Sequence, residues 1–595
     1  MSIVVQKFGG TSVADSEKIC RAAKKAVATM KAGHQVVMVV SARGKKTDEL
    51  VGLAADITDK PRPREMDMLL STGEQESCAL MAMAIHELGE EAISLTGGQI
   101  GVRTDASHTK ARIISISTQR MKNALNAGQI VIAAGFQGVD EELNITTLGR
   151  GGSDTTAAAL AAVLDADLCE IYTDVEGVFT TDPRVVSDAS KIDQVSYDEM
   201  LELASLGAGV MHSRSIEFAK KFGVNLRVRP SFMDGPGTLI SASPADPAPI
   251  VTGVAFVRDE TRVSLIGVPD EPGVMSQVFA MLSDNKIPVD MVVQNVGVAG
   301  TANVSFTVAE NDLDKALSVA NGATASLGGK VQHSSDLSKL SVVGHGMQTH
   351  SGVASQMFAV LAAEEINIRI VTTSEIKISV LISRDDCDRA VKAIHRGFHL
   401  HEQSTRTPSV GITSTPPTPE TVRDAAELER AIVSRLSGME DIVVSNVYSD
   451  TTQARVTITK LTDGPGVCAA IFSAVAEGGV LVDMIIQNAA QGDTANISFT
   501  VPASDVQKTV ELLEKPLASH AQAKVSCDSE IGKLSVAGIG LRSHTDVGAQ
   551  LFRTLADSSI NVQMVNTSEI KVSVVVGSSE TAKALQALKV AFGTE

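Results

Sequence analysis

No apolar run in this chain reaches the roughly 18 residues that a membrane-spanning helix needs. The opening MSIVVQKFGG also lacks the basic stretch and long apolar core of a secretion signal. Basic charge is in short supply: Lys and Arg number 52 against 70 Asp and Glu, for a formal charge of −18. That balance argues against nucleic acid or an anionic membrane as partner, since both require a basic surface; solubility is its simplest cause. The six cysteines (Cys20, Cys78, Cys169, Cys387, Cys468, Cys527) include no CxxC pair and no zinc-ligand spacing. They read as buried free thiols in a reducing cytosol, and no protein-held metal is expected. Two nucleotide signatures are missing as well. There is no GxxxxGK followed by Ser or Thr, hence no P-loop, and VAGIGLRSH (536–544) has a GxG without the third glycine of a dinucleotide fingerprint. The expectation is a soluble cytoplasmic protein. Its 595 residues exceed a single core and imply roughly three to five domains.

What is present falls into two textures. Over the first 240 or so residues, short apolar runs (3–8, 36–42, 130–136, 168–174) alternate with helical patterns near 15–32, 66–88 and 154–164. Alternation of this kind predicts an α/β layer fold with a largely parallel sheet, whose ligands sit outside the carboxyl ends of the strands. ASPADPAP (242–249) punctuates the chain, and beyond it the sequence repeats. VPDEPGV at 268 returns as LTDGPGV at 461, an offset of 461 − 268 = 193, and TSEIKIS at 373 returns as TSEIKVS at 567, an offset of 194. Within the first copy, GVMSQVF (273–279) resembles GVASQMF (352–358), so the repeat resolves into four small modules arranged as a duplicated pair.

Each module reads strand, helix, strand, strand, helix, with a closing strand where one is available. Pro272 suits the first turn of a helix. A surplus strand at 251–257 places the first module (about 261–333) inside the second (251–258 plus 334–400). By the same logic the later pair divides into about 453–526 and 441–450 plus 527–595. The proline- and Ser/Thr-rich stretch following residue 400 (401–430) reads as a linker between the pairs at 250–400 and 440–595.

Four segments carry candidate chemistry. KFGGTSV (7–13) ends the first strand: Gly9 and Gly10 bare the backbone for a phosphate and Lys7 adds charge, or the same residues make a Gly-Gly turn beside a solvated lysine. LGRGGSDTTAAALAAVL (148–164) begins a good helix that Ser153 or Asp154 can cap, and its N-terminus beside Arg150 forms an anion site. STGEQES (71–77) sets Glu74 and Glu76 near a helical stretch, where a charged face is the ordinary explanation. TDVEGVFTTDPR (173–184) is, by spacing alone, a loop.

Taken in order, KFGGTSV, VVSA (39–42), LLSTGEQES (69–77), GRGGSDTTA (149–157) and TDVEGVFTTDPR closely resemble the aspartokinases of the amino acid kinase family. The resemblance spans essentially the whole chain and implies an αβα kinase domain (1–241) followed by four ferredoxin-like βαββαβ ACT domains in two tandem pairs. It implies ATP-dependent phosphorylation of the side-chain carboxylate of L-aspartate, the first step toward lysine, threonine and methionine, with Mg²⁺ held mainly by the phosphates. Lys7, Gly9 and Gly10 would hold the β- and γ-phosphates. Ser41, Thr47, Glu74, Arg150, Gly151 and Ser153 would contact aspartate, Glu74 taking the ammonium and Arg150 a carboxylate. Asp154 would orient Lys7, and Thr173, Asp174, Phe179, Asp182, Pro183 and Arg184 would line the nucleotide side.

For the ACT units the resemblance implies inhibitor sites at interfaces between modules. The candidate residues are Asp270, Val274, Met275, Gln294 and Asn295, with counterparts Asp463, Val467, Cys468, Gln487 and Asn488; Pro-Gly helix starts and Val-rich strands would also build any such module. Lysine and threonine are the family's usual effectors, and two pairs could serve one each or both. Four modules exceed the usual two, and Asp546 occupies a glycine position in the fourth. Edge strands in such modules point to a homodimer. A glutamate kinase of the same fold, or a sensor with a degenerate kinase domain, are the competing readings; intact Lys7, Glu74, Arg150 and Asp154 weigh against the sensor.

Overall fold

The computed structural model describes residues 2–206, 209–243, 249–296, 300–350, 352–402, 443–487, 494–539 and 545–594. The expected 401–430 linker therefore lies almost wholly outside the described residues. Among those described, no helix is long and apolar enough to cross a membrane.

The first half runs β1 (Ile3–Phe8), α1 (Ser16–Lys31), β2 (Gln35–Val40), α2 (Lys46–Ala55), α3 (Pro63–Glu87), β3 (Ala92–Leu95), β4 (Val102–Thr104), β5 (Ile113–Ile116), α4 (Gln119–Asn126) and β6 (Ile130–Ala134). It continues through β7 (Gln137–Val139), β8 (Ile145–Thr147), α5 (Gly152–Val163), β9 (Leu168–Thr173), β10 (Gln194–Ser196), α6 (Tyr197–Ser205), α7 (Ser213–Phe222), β11 (Leu226–Pro230) and β12 (Thr238–Ser241). Eight strands form one sheet in the order β10-β12-β11-β9-β1-β2-β6-β3, parallel except where β12 meets β11. The central strands are apolar throughout because both faces are covered. Val5, Val37, Val39 and Val131 face a core built with α5 and α7, while Val36, Met38, Val40 and Ile132 face α1 and α3. Register places Phe8, Val40 and Ala134 side by side at the carboxyl edge of the sheet, with Tyr172 next to Phe8. That edge is where the candidate motifs begin.

The second half contains β13 (Gly253–Pro269), α8 (Val274–Asp284), β14 (Asp290–Val296), β15 (Thr301–Ala309), α9 (Leu313–Leu327), β16 (Lys330–Val343), α10 (Val353–Ala363), β17 (Ile370–Thr373), β18 (Lys377–Ser383) and α11 (Cys387–Gly397). The later pair supplies β19 (Val443–Asp450), β20 (Gln453–Thr462), α12 (Val467–Glu477), β21 (Ile485–Gln487), β22 (Thr494–Pro502), α13 (Val506–Leu517), β23 (Lys524–Asp528), β24 (Ile531–Ile539), α14 (Thr545–Asp557), β25 (Met564–Thr567), β26 (Lys571–Gly577) and α15 (Thr581–Phe592). Two local expectations change. The surplus strand at 251–257 is not separate from the next one: both belong to the 17-residue β13, because β16 pairs with it along its length, with register shifts near Glu260. Pro272 lies outside α8, which starts at Val274 after Gly273 at φ 98°; the positive φ of that glycine makes the turn, so proline only stiffens its approach.

The four modules pair across the two copies. β17 joins β21 antiparallel, linking the second and third modules in one sheet. Phe358 of α10 meets Phe472 of α12 at 5.4 Å, and Phe279 of α8 meets Phe552 of α14 at 4.5 Å, linking the first module to the fourth. Between the two assemblies lies a shared apolar layer that includes Met291, Ile370, Ile486 and Met564. Lys339, wholly buried, is ion-paired there with Asp290 and with Glu260 (3.1 Å), and Lys533 with Asp483. Buried charges are tolerated when paired, as these are. The strands β17 and β21 are thus joined within one chain.

Candidate active site and regulatory interfaces

The candidates of the KFGGTSV motif lie at the end of β1 and in the turn after it. Lys7, near the end of β1, is buried and ion-paired with Asp154 at 2.5 Å. Gly9 N–H donates to Tyr172 O (3.3 Å), folding the chain over the end of β9. Gly10 has no room for a side chain: a Cβ there would stand 2.6 Å from Ala42 O. The turn after β2 is drawn in by Gly44 N–H to Gly10 O (2.9 Å) and by Ala42 N–H to Glu74 Oε1 (3.0 Å), which brings Ser41 and Glu74 against the glycine pair.

Glu74 sits in the middle of α3, not on a charged surface face. It is buried, its Oε2 has no hydrogen-bond partner among the described residues, and burial pushes its carboxyl up to about 7. A buried carboxylate oxygen without a donor is costly, and an ammonium ligand would satisfy it. Glu76, two residues on, faces outward to Arg43 (3.3 Å) and Lys46 (3.5 Å). Thr47 is exposed in the first turn of α2, and no recorded bond joins it to the other candidates.

The second turn differs from the capped helix expected from sequence. Gly151, at φ 73°, is the residue before α5, and Ser153 and Asp154 lie inside its first turn without capping it. Gly149, at φ 78°, precedes Arg150, so two left-handed glycines bracket the arginine and leave its side chain exposed. Ser153 is buried and packs on Gly135, where a Cβ would come within 2.7 Å of its Oγ. Arg150, Gly151 and Asp154 line a cavity of ≈ 620 Å³ together with His212, Pro288 and Glu569. Burial, aided by Arg214 and Arg150, lowers the His212 pKa against the pull of Asp154.

Thr173, Asp174, Phe179, Asp182, Pro183 and Arg184 all line one further cavity, of ≈ 860 Å³. Arg184 is ion-paired with Asp182 at 2.7 Å and holds that carboxyl below its ordinary range. The far wall is β13, through Val254, Phe256 and Arg258, so a strand of the repeated half forms part of this cavity.

Sequence reasoning missed several of these features. Asp67, wholly buried, accepts from His108 Nδ1 (2.7 Å), Thr109 N–H (3.0 Å) and Thr147 Oγ1 (2.6 Å), tying α3 to the approach to Arg150. Nothing local in the sequence marks it. MHSRS (211–215) could have been flagged as a His and an Arg at the start of a helix.

The regulatory modules grip α6. Glu199 accepts from Thr252 Oγ1 (2.6 Å) and His345 N–H (3.0 Å), and Glu202 is paired with Lys377 (2.7 Å) and accepts from Glu569 N–H (3.2 Å). Burial works against the charge on Lys377, but Glu202 and Asp290 outweigh it and raise its pKa.

The candidate effector residues fall on two related interfaces. Between the second and third modules, Asp463 accepts from Asn367 Nδ2 (3.2 Å) and Arg369 Nη1 (3.4 Å), and Gln487 Nε2 donates to Ile368 O (3.2 Å). Cys468 Sγ donates to Gln487 Oε1 (3.0 Å), and Val467 lines the same cleft of ≈ 10 Å³, room for about one water. Between the first and fourth modules, Asp270 accepts from Asn561 Nδ2 (2.9 Å) and Gln294 Nε2 donates to Val562 O (2.7 Å). Val274 and Met275 begin α8 beside them, both buried. The Asn295 side chain and the whole of Asn488 lie outside the described residues. Asp546 accepts from Ser283 Oγ (2.8 Å), linking α14 to α8 where a glycine could not.

Comparison with known proteins agrees with this architecture. Residues 2–230 match the amino acid kinase family, and 263–323, 340–398, 459–517 and 534–592 each match an ACT domain. An aspartate kinase of Stutzerimonas stutzeri is 49% identical over 403 residues, covering 67% of this chain and 98% of that one. Aspartokinase 2 of Bacillus subtilis is 51% identical over 402 residues, with the same coverage. Among solved structures, aspartate kinase from Synechocystis covers 100% of this chain and 98% of its own at 38% identity, with a TM-score of 0.52. E. coli aspartokinase III in complex with aspartate and ADP covers 66% of this chain and 99% of its own at 26% identity, with a TM-score of 0.58. The chain belongs to the aspartokinases of the amino acid kinase family, enzymes built from a kinase domain and ACT domains.

Proposed function

We propose that the chain transfers the γ-phosphoryl group of ATP to the side-chain carboxylate of L-aspartate, giving 4-phospho-L-aspartate and ADP. The observation that carries this reading is the buried Lys7–Asp154 pair at the carboxyl edge of the sheet: Asp154 lines the Arg150 cavity, while Thr173, on the strand beside β1, lines the other cavity. The nucleophile is a carboxylate already ionised at neutral pH, so no side chain need remove a proton. The chain's work is to hold two anions in line and to neutralise the charge spread over the phosphoryl group. Lys7 and the Gly9–Gly10 turn meet the β- and γ-phosphates, with Asp154 fixing the Lys7 ammonium. Arg150 takes a substrate carboxylate, Glu74 its ammonium, and Ser41, Thr47, Gly151 and Ser153 complete the pocket. Thr173, Asp174, Phe179, Asp182, Pro183 and Arg184 receive the nucleotide. Mg²⁺ would be held mainly by the nucleotide phosphates and water and would supply further neutralisation when bound.

The relatives support regulation too, one E. coli aspartokinase III structure being a complex with lysine and aspartate in a T-state. In this reading lysine or threonine enters the Asp463 and Asp270 interfaces, and α6 relays the change through Glu199 and Glu202. Opening a cleft of ≈ 10 Å³ to admit an amino acid spreads two modules apart, which supplies the conformational signal. The domain limits given above, a cytoplasmic location and a homodimer through ACT surfaces belong to the same proposal. The dimer contact moves to outer edges, since β17 and β21 are already paired.

The test is ADP release with ATP, Mg²⁺ and L-aspartate, repeated with L-glutamate and then with lysine and threonine singly and together. Turnover on aspartate, suppressed by one or both effectors, is expected. Turnover on glutamate alone would sink the substrate assignment, and binding of effector without any ADP would favour the sensor.

A further inference from the structure

The turn carrying Arg150 is closed by Gly152 N–H to Gly149 O (3.0 Å) but is otherwise built on glycine. Gly149 and Gly151 flank the arginine at φ 78° and 73°, and glycine gives up more conformational freedom on ordering than any other residue. The arginine side chain is exposed, so its own packing does not fix it. A further brace comes from one short segment at the start of α7. Arg214 Nη1 donates to Leu148 O at 2.5 Å and Nη2 to Ala111 O at 2.8 Å, joining the residue just before the turn to the neighbouring 105–112 loop. Leu148 N–H in turn donates to Phe136 O (2.9 Å) and Ala111 N–H to Thr147 O (2.9 Å), so the guanidinium closes a network that ties Leu148 to the residue before β7 and Ala111 to the end of β8. On the other flank Gly151 lies flush on His212, where an added Cβ would stand 2.3 Å from the histidine Cβ.

We propose that Arg214 is a positioning residue of the aspartate site, its two-pronged bond to Leu148 O and Ala111 O setting the turn that presents Arg150. The proposal rests on Arg150 holding a substrate carboxylate. A guanidinium fits the task because its donors are fixed in one plane and meet two carbonyls at once, whereas a lysine ammonium on a flexible stem cannot reproduce that fork. Arg214 directs its Nη1 and Nη2 to backbone carbonyls and does not line the Arg150 cavity. Its removal should loosen where Arg150 points without altering the phosphoryl-transfer groups, and displacement of about 1 Å can cost about 100-fold.

The experiment compares Arg150→Ala, Arg214→Met, Arg214→Lys and the double variant Arg150→Ala/Arg214→Met in the full-length enzyme. For Arg214→Met, KM for aspartate should rise about 10- to 100-fold while kcat and KM for ATP stay within about threefold. Arg214→Lys should fall between wild type and Arg214→Met, and it decides the matter should the methionine variant fail to fold. Residues acting through one another are non-additive, so the double variant should be no worse than Arg150→Ala. An unchanged aspartate KM in Arg214→Met, or equal losses for ATP and aspartate, would overturn the positioning role. An unchanged aspartate KM in Arg150→Ala would instead overturn the site reading beneath it.

Discussion

The kinase half of this chain occurs once and the regulatory half twice, and the two halves use their residues differently. In the kinase half each charge is unique: one Lys7, one buried Glu74 and one Arg150 on its glycine turn. In the regulatory half the duplicated interfaces keep a common skeleton, an aspartate bonded to an asparagine and a glutamine bonded to a backbone carbonyl. Around that skeleton the copies have diverged. Arg369 adds a cation to Asp463 where the counterpart position holds Gln563, and Cys468 satisfies the Gln487 oxygen where Met275 cannot. Gln294 Oε1 is consequently buried without a hydrogen-bond partner among the described residues. Duplication conserves geometry but frees chemistry, so the two interfaces of one chain differ in their contacts.

The comparison breaks most sharply at Lys7. Lys7→Ala should lower kcat about 1,000-fold, as loss of a charge-stabilising donor does, while calorimetry finds effector binding at both interfaces unchanged. Loss of effector binding together with activity would mean that the halves do not behave as separate units.

The next effect falls on aspartate capture. Glu74→Gln should raise KM for aspartate about 10- to 100-fold by removing a charged hydrogen bond. Burial raises this carboxyl from 4.5 to about 7, so the free enzyme holds it protonated below that pH and ionised above. The ammonium needs the ionised form, and kcat/KM for aspartate should therefore climb as pH rises through about 7 and flatten in Glu74→Gln. Stability moves the other way. The contribution from neutral Glu74 is complete below pH 4.5 and is lost as pH rises through about 7. An acid limb that survives in Glu74→Gln would assign it to another group.

The smallest effect sharpens the difference between the interfaces. Asp463→Asn should weaken effector binding at the second–third interface about tenfold and leave the first–fourth interface untouched, with Asp270→Asn doing the reverse. Two binding isotherms, each shifted by only one variant, are expected. A single isotherm shifted equally by both would make the interfaces one cooperative site.

Much of the fold was legible because its signals are periodic or repeated. Apolar runs such as QVVMVV mark strands covered on both faces, and the offset of 193 to 194 residues exposes the duplicated modules without any reference to their shape. The glycine motifs were legible for a different reason, since Gly10 and Gly151 occupy places where a side chain would collide. Local rules failed where a tertiary contact decides. Ser153 and Asp154 have the chemistry of caps, yet the first is packed on Gly135 and the second is engaged by Lys7, so the helix starts from a left-handed glycine. Glu74, in a run of polar residues, looked like part of a charged helix face until α3 buried it.

By itself the sequence determined the alternation of strands and helices, the fourfold module repeat and the places where phosphate-binding chemistry is possible. Those follow from backbone geometry and side-chain periodicity, which act over a few residues. Only the tertiary structure decided which modules pair, that a strand of the repeated half walls the Thr173 cavity, that α6 is gripped through Glu199 and Glu202, and that Arg214 braces the Arg150 turn. Each of these depends on contacts between residues far apart in the chain. Their partners are chosen by packing and by the cost of leaving a buried charge alone, and no local pattern records that choice.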